Sequence, residues 1–286
     1  MTHFTTLINA ADLTECKQSH PGNVKILDCR GRLGDPDYAV KAYAAGHIPT
    51  AGYLSLDDDL AAAAGASGRH PLPDAGQLAA RLAGLGMNAA DQIVVYDDAG
   101  GAFAARAWWC VRWLGHEAVA LLDGGIGAWP GDLSTAVADV ESGNFRRRPS
   151  LTRTVDAANL VASISGGAGE GGGPYSLIDA RTRTRFDGVE EPIDPVAGHI
   201  PGAVCLPFQE NLNAAGTFRT PAELRERFAD CAAGGADVVS YCGSGVTAAH
   251  NILALLVAGY PEPILYPGSW SEWIVDPARP RAPRRS

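Results

Sequence analysis

One cysteine of the chain stands where a thiol could act as a nucleophile. Cys242 follows the apolar run VVSY, which is typical of a strand, and precedes a loop of small residues and an apolar helix pattern that Thr247 could cap. In open parallel sheets, ligands bind at the carboxyl ends of the strands. Loop amides and a helix N-terminus direct partial positive charge into such a turn, which favours the reactive thiolate. The pattern predicts a nucleophile at Cys242, with a buried structural cysteine as the alternative.

The loop after Cys242 and the other cysteines argue against several kinds of cysteine chemistry. A phosphate-ester enzyme would need an arginine at the end of a C-x5-R loop, where this chain has Ala248. There is no C-x-x-C motif and no close Cys/His pair, so we predict no metal site. The cysteine density is also too low for a disulfide scaffold. The other five are predicted to be small buried hydrophobic residues: Cys16, Cys29, Cys110, Cys205 and Cys231.

The elements that must position Cys242 belong to one half of an internal repeat. Four blocks occur twice in the same order, at spacings that match within a few residues. The paired blocks are 26–30 and 177–181, 45–56 and 197–208, 93–116 and 237–260, and 123–129 and 267–273. Two copies of about 130 residues each fit two homologous domains and are too long for the repeats of a solenoid. At the strand end where the second copy has Cys242, the first copy has Asp97.

Within each copy, short β-branched runs alternate with helical patterns. This alternation predicts an α/β fold with a mainly parallel sheet flanked by helices. We place a non-catalytic domain at 1–147 and a catalytic domain at 148–286, because a segment rich in Pro, Gly, Ser and charge joins them. The stretch TPAEL predicts a capped helix start at Thr220. The glycine-rich stretch 165–174 predicts a flexible surface insertion before a strand.

Charged residues and histidines that occur in both copies are predicted to be structural. An Asp-x-Arg pair, which favours a fold-stabilising ion pair over catalysis, occurs twice, as Asp28–Arg30 and Asp179–Arg181. His47 and His199 are also repeated, and one of them lies in the copy without the cysteine. His70 has no counterpart in the second copy, which favours a functional role for it.

The overall composition narrows the class of protein. The chain is 46% hydrophobic and 19% charged, so it can bury enough apolar surface to offset the ordering entropy of folding. Its net charge of −9 argues against nucleic acid or an anionic membrane surface as the main partner. No apolar run reaches the roughly 18 residues of a membrane span, and residues 1–13 lack the features of a secretion signal. We therefore expect a cytoplasmic protein.

Together these motifs resemble the two-domain rhodanese family of sulfurtransferases over essentially the whole chain. The resemblance rests on the G-H-I-P elements at 46–49 and 198–201, the closing aromatic segments, and the single cysteine-bearing loop C-G-S-G-V-T. It implies two tandem rhodanese-like domains, of which the second is catalytic. In this family, C-R-K-G-V-T loops are associated with thiosulfate and C-G-S-G-V-T loops with 3-mercaptopyruvate. Thiosulfate is a compact dianion that benefits from cationic loop side chains, whereas mercaptopyruvate needs fewer charges nearby.

The resemblance also implies roles for individual residues. Cys242 matches the sulfur-accepting nucleophile, and Arg185 matches the arginine that binds the carboxylate or sulfonate group of the donor. Ser244, His70 and Asp59 match a set that is proposed to relay a proton. The remaining loop residues would bind the transferred sulfur and the substrate through their backbone amides: Gly243, Gly245, Val246 and Thr247.

One position departs from the pattern of the mercaptopyruvate enzymes. They carry a second substrate-binding arginine in the segment before the second G-H-I-P element, where this chain has Asp194. Either Arg183 or another arginine replaces it, or the donor preference differs.

The function that the resemblance implies is a ping-pong sulfurtransferase with no cofactor. Cys242 would take sulfur from 3-mercaptopyruvate as a persulfide, release pyruvate, and pass the sulfur to a thiol acceptor such as thioredoxin, or to cyanide. Two alternatives stay open: a thiosulfate sulfurtransferase that uses the same cysteine, and a non-enzymatic persulfide carrier. The expected partners are a small anionic sulfur donor and a thiol acceptor, with no nucleic acid and no membrane.

Overall fold

The chain forms two compact units of the same architecture. A computed structural model describes residues 3–165, 175–232 and 235–282, so the insertion predicted over 165–174 lies outside the described residues except for Ser165. The first unit comprises Met1–Ala62, Leu72–Thr152 and Ala214–Phe218, and the second comprises Ala63–Pro71, Arg153–Asn213 and Arg219–Ser286. Each unit therefore includes one short segment from the other half of the sequence.

The first unit is built on a five-stranded parallel sheet with the order β1-β5-β4-β2-β3. Its strands and helices are β1 Leu7–Ile8, α1 Ala10–Ser19, β2 Val24–Asp28, α2 Tyr38–Ala45, β3 Gly52–Tyr53, α3 Ala75–Gly84, β4 Gln92–Tyr96, α4 Ala104–Trp113 and β5 Val119–Leu122. A 3-10 helix follows at Gly125–Ala128. Asp28 and Tyr96 lie opposite each other at the ends of β2 and β4.

The second unit repeats this sheet with the order β6-β10-β9-β7-β8. Its strands and helices are β6 Arg153–Thr154, α5 Ala157–Ser165, β7 Tyr175–Asp179, α6 Arg183–Phe186, β8 Val204–Cys205, α7 Pro221–Arg227, α8 Ala229–Ala232, β9 Asp237–Tyr241, α9 Ala248–Val257, β10 Ile264–Leu265 and α10 Ser269–Trp273. A 3-10 helix spans Phe208–Asn211. Of the helices in the described part of the chain, none combines the length and the apolar character that a membrane crossing requires.

Each unit contains a buried ion pair at the equivalent position. Arg30 Nη2 lies 2.6 Å from Asp28 Oδ2, and the same atom donates to the Gly46 carbonyl at 2.8 Å. In the second unit, Arg181 Nη2 lies 2.7 Å from Asp179 Oδ2 and donates to the carbonyl of the equivalent glycine at 2.7 Å. Each pair links the end of β2 or β7 to the start of a G-H-I-P element, which is the structural role predicted for it.

The repeated histidines also have structural contacts. His47 stacks on Tyr43 and its Nδ1 lies 2.9 Å from the Tyr43 carbonyl oxygen. His199 stacks on Phe186, and its Nδ1 lies 2.8 Å from the Phe186 carbonyl oxygen. The helix start predicted at Thr220 is confirmed, because that residue forms a complete capping box at the start of α7.

Large aromatic side chains fill the core of the second unit beside the end of β9. Tyr241, Tyr266, Trp270 and Trp273 are all fully buried in one hydrophobic cluster. The indole N–H of Trp270 donates to the Val196 carbonyl at 2.8 Å, so its polar atom is satisfied inside the core. This packing anchors α10 and the turn before it next to the end of β9.

Candidate active site

Cys242 lies at the carboxyl edge of the second sheet, between β9 and α9. β9 is the middle strand of five, so the loop that follows it opens at the centre of that edge. The side chain is buried, with 2% of the residue exposed. The Gly245 N–H donates to Cys242 Sγ at 3.1 Å. A backbone donor aimed at the sulfur stabilises a thiolate more than a thiol.

Gly245 lets the loop turn back over the sulfur. Its φ is +77°, and a Cβ there would lie 2.3 Å from the Pro267 carbonyl oxygen, so no other residue fits without strain. Val246 is buried, and its carbonyl accepts from the Ala249 N–H as α9 begins. Thr247 occupies the N-cap position, but the predicted side-chain cap is wrong. Its backbone is already helical, at φ −74° and ψ −11°, rather than extended as in a capping residue.

The first turn of α10 holds the cysteine loop by its backbone. Ser269 Oγ accepts a hydrogen bond from the Cys242 N–H at 3.1 Å. The Trp270 N–H donates to the Cys242 carbonyl at 3.0 Å, and the Ser271 N–H donates to the Gly243 carbonyl at 2.9 Å. Three hydrogen bonds and a buried indole therefore fix the backbone from which Sγ projects.

The first unit holds an anion at the position equivalent to Cys242. Asp97 follows β4 as Cys242 follows β9, and it is buried with 1% of the residue exposed. Four backbone N–H groups donate to its carboxylate at 2.8 to 2.9 Å, from Ala99, Gly101, Phe103 and Ala104. Burial raises the pKa of Asp97, and these hydrogen bonds oppose the rise. A loop of this design therefore binds a negative group through its amides.

Two arginines converge on Gly243, the residue after the cysteine. Arg185 belongs to α6, and Arg69 belongs to the segment Ala63–Pro71 that packs with the second unit. A Cβ at Gly243 would lie 2.8 Å from Nη2 of Arg69, and 3.3 and 3.4 Å from Nη2 and Nη1 of Arg185. Glycine at this position thus leaves the space beside the nucleophile to two guanidinium groups.

Two buried acids hold these guanidinium groups. The two oxygens of Asp194 accept hydrogen bonds from Nη1 of Arg69 and, at 2.9 Å, from Nη2 of Arg185. Glu191 lies 2.8 Å from Arg185 and 3.3 Å from Arg181. Burial would raise the pKa of Glu191, but the hydrogen bonds and the charge of Arg185, together with the backbone N–H groups of Asp194 and Ile193, outweigh burial and lower it. Burial raises the pKa of Asp194, and the charge of Arg69 opposes the rise.

Arg183, the other arginine of α6, is placed differently. Its Nη2 donates to the Cys205 carbonyl at 3.1 Å, and its guanidinium packs on the Phe186 ring. These contacts direct it toward β8. The arginine that joins Arg185 beside Gly243 is Arg69.

The structure brings together two of the three residues predicted to relay a proton. Ser244 Oγ lies 2.7 Å from Nδ1 of His70, and Ser244 is buried. Asp59 belongs to the first unit. Its two oxygens accept from the Ser55 N–H at 2.8 Å and from Arg81 Nε at 3.0 Å. That Asp59 takes part in the proton relay remains a prediction.

The other thiols are kept protonated by their surroundings. Burial raises the pKa of Cys205 to about 12 and that of Cys231 to about 11. Burial also raises the pKa of Cys29, Cys110 and the half-buried Cys16. All six cysteines are free thiols. Across the described ranges, no group of three or more His, Cys, Asp or Glu side chains could hold a metal ion.

Four side chains at this site were not predicted from the sequence: Arg69, Glu191, Ser269 and Ser271. The two serines lie in the closing segment PGSWSEW, which the repeat identifies but in which no pattern assigns a role to the serines. Arg69 directly precedes His70, and the lack of a counterpart of that histidine in the second copy is a signal for the whole segment around it.

Comparison with known proteins assigns the family. The model of the rhodanese-like domain matches residues 12–132 and again residues 167–276. The chain belongs to the rhodanese-like family. The two parallel sheets with flanking helices are the tandem rhodanese folds expected from the sequence.

Rhodanese-like relatives match nearly the full length of the chain. A Pseudomonas aeruginosa protein named a probable 3-mercaptopyruvate sulfurtransferase is 48% identical, over 90% of this chain and 91% of that protein. A Mycobacterium tuberculosis protein with the provisional name thiosulfate sulfurtransferase SseB is 41% identical, over 96% of this chain and 95% of that protein. The crystal structure of SseA from Escherichia coli, described as a 3-mercaptopyruvate sulfotransferase, matches with a TM-score of 0.78 and 30% identity, over 94% of this chain and all of that chain. The chain is therefore an enzyme of the sulfurtransferase type.

Proposed function

We propose that this enzyme takes sulfur from 3-mercaptopyruvate onto Cys242 as a persulfide, releases pyruvate, and passes the sulfur to a thiol acceptor such as thioredoxin, or to cyanide. The observation that carries the proposal is the Gly245 N–H on Cys242 Sγ, in a loop whose counterpart surrounds the Asp97 carboxylate with four amides. A thiolate and a terminal persulfide sulfur are both anions, so the same amides favour both states.

The first half-reaction needs one proton and no redox partner. The Cys242 thiolate attacks the sulfur of the donor, and an S–S bond forms as the C–S bond breaks. The electron pair of the broken bond goes to carbon as the enolate of pyruvate, which is protonated on carbon. In the second half-reaction, the thiolate of the acceptor attacks the terminal sulfur, and the Cys242 thiolate leaves.

The pair of Ser244 and His70 supports 3-mercaptopyruvate as the donor. The departing enolate requires a proton, and a serine hydroxyl 2.7 Å from an imidazole nitrogen is suited to deliver one. Arg185 supplies a guanidinium group for the carboxylate of the donor. Thiosulfate is the second candidate, because the relative from Mycobacterium tuberculosis carries that name and a dianion also suits two guanidinium groups.

Steady-state kinetics with both donors test the proposal. With excess thiol, the wild-type enzyme should release pyruvate over many turnovers, with a kcat/KM for 3-mercaptopyruvate above that for thiosulfate. Cys242→Ser should lower transfer from both donors by at least about 10³-fold, because the nucleophile is lost. A preference for thiosulfate would overturn the donor, and release of only one equivalent would indicate a persulfide carrier.

Cys205→Ser is the matched control for the loss of a thiol. Cys205 is buried, and burial raises its pKa to about 12, so it is no nucleophile at neutral pH and its variant should keep wild-type turnover. Retained turnover in Cys242→Ser, with Cys205→Ser also active, would overturn the assignment of the nucleophile. The cytoplasmic location expected from the sequence remains a prediction.

A further inference from the structure

We infer that Arg69 is a second donor-binding residue, which with Arg185 forms a guanidinium clamp for the carboxylate of the sulfur donor. The inference rests on the proposed function. It also identifies the arginine that acts beside Arg185, which the sequence left open because position 194 is an aspartate.

The backbone around Arg69 is fixed to the same turn that fixes the nucleophile. The Arg69 N–H donates to Ser271 Oγ at 3.0 Å. The backbone at Gly68 packs so closely that a Cβ there would lie 2.8 Å from the Gly268 carbonyl oxygen. The same turn donates the Ser271 N–H to the Gly243 carbonyl at 2.9 Å. The base of the Arg69 side chain is therefore held in a constant position relative to the cysteine loop.

The end of the Arg69 side chain reaches the residue next to the nucleophile. Its Nη2 would lie 2.8 Å from a Cβ on Gly243, closer than either terminal nitrogen of Arg185, at 3.3 and 3.4 Å. Both guanidinium groups thus face one point beside Cys242. The carboxylate of a donor whose sulfur lies on Cys242 would meet both at this point.

Asp194 sets the spacing of the two guanidinium groups. One of its oxygens binds Nη1 of Arg69, and the other binds Nη2 of Arg185. Two like charges can lie side by side because this carboxylate is buried between them. A single carboxylate already spans both arginines from one side, so the carboxylate of a donor can span them from the side of Gly243.

The exposure of the three side chains separates a binding role from a purely structural one. The Asp194 side chain is 2% exposed, whereas that of Arg69 is 28% exposed and that of Arg185 is 14% exposed. The arginines therefore keep surface that a ligand can reach, while the acid that holds them does not. Arg69 binds Asp194 through Nη1, so its Nη2 beside Gly243 is not needed to neutralise that acid.

Two donors that differ only in the carboxylate test the clamp. Arg69→Gln should raise the KM for 3-mercaptopyruvate by about 10- to 100-fold, the size expected for a charged hydrogen bond, and should change kcat little. With 1-mercaptopropan-2-one, which has the same mercaptoketone but no carboxylate, kcat/KM should stay at the wild-type value. Asp194→Asn keeps the shape but loses the charge that orients both arginines, and it should raise KM with the same donor dependence.

Arg183→Gln is the matched control, because it removes the same charge from the same unit and should leave both donors unaffected. An unchanged KM for 3-mercaptopyruvate in Arg69→Gln, or an equal loss with both donors, would overturn the clamp. If Arg69→Gln does not fold, as judged by its Tm, Arg69→Lys tests the clamp by the same criterion. A lysine ammonium held by Asp194 cannot also bind the donor as the forked guanidinium group does. Failure of the wild-type enzyme to turn over 3-mercaptopyruvate would instead overturn the proposed function.

Discussion

At the scale of single residues, the contact between Ser244 and His70 distinguishes the two candidate donors. When 3-mercaptopyruvate loses its sulfur, the leaving carbon holds an electron pair and must be protonated. When thiosulfate loses its outer sulfur, sulfite leaves with the electron pair on sulfur and needs no proton on carbon. A hydroxyl and an imidazole 2.7 Å apart therefore have a task with the first donor that they lack with the second.

Ser244→Ala and His70→Asn should each lower kcat with 3-mercaptopyruvate by about 10²-fold, because each removes one end of the proton relay. With thiosulfate the same variants should retain most of the wild-type rate. The double variant should be no slower than either single variant, because the two residues act as a unit. Steady-state kcat with each donor is the measurement.

Ser240→Ala provides the control for this prediction. Ser240 is a buried serine of β9 whose hydroxyl donates to the Ala248 carbonyl. Its variant therefore measures the effect of losing a buried serine hydroxyl that has no part in the proposed relay. Equal losses with both donors in Ser244→Ala would contradict the relay, since a general distortion of the loop would then be the cause.

At the scale of elements, the cysteine loop depends on a close approach between two turns. Gly245 lies under the Pro267 carbonyl, and the turn that follows Pro267 holds the backbone of Cys242 and Gly243. A side chain at Gly245 would separate these turns and move its N–H away from the sulfur. The geometry of the nucleophile is therefore a property of both turns together.

Gly245→Ala should destabilise the protein by about 1–3 kcal/mol more than Gly202→Ala, the added cost being that of overpacking. Both glycines lie in the second unit with positive φ, at +77° and +82°, but a Cβ at Gly202 meets nothing within 4 Å. Gly202→Ala therefore introduces the backbone strain of a positive φ without any overpacking. Free energies of unfolding from urea titrations measure the difference, and equal losses would contradict the close approach.

Some elements could be predicted from the sequence, and others could not be predicted from it. The strand ends at Asp97 and Cys242, and the helix start at Thr220, are encoded by local patterns and occur where predicted. The cap predicted at Thr247 fails because the tight loop keeps that residue helical. Arg69 reaches Gly243 across more than 170 positions of sequence. No local pattern encodes such a contact, which depends on the segment Ala63–Pro71 packing with the second unit.

At the scale of the whole molecule, one sheet design serves two purposes. In the first unit the loop after the central strand encloses its own carboxylate, and in the second it presents a thiol. The backbone donors that stabilise Asp97 are the kind that a persulfide on Cys242 would use. The net charge of −9 is therefore compatible with an anionic donor, because in the proposed mode of binding the donor meets local amides, Arg185 and Arg69.

The central claim is that Cys242 carries the transferred sulfur, and mass spectrometry of the protein after incubation with 3-mercaptopyruvate, without acceptor or reductant, tests it most directly. We expect a gain of one sulfur atom on the peptide that contains Cys242, one equivalent of pyruvate, and loss of that sulfur when a thiol is added. The Cys242→Ser variant should gain nothing. An unchanged mass, or an added sulfur on the peptide of another cysteine, would contradict the account.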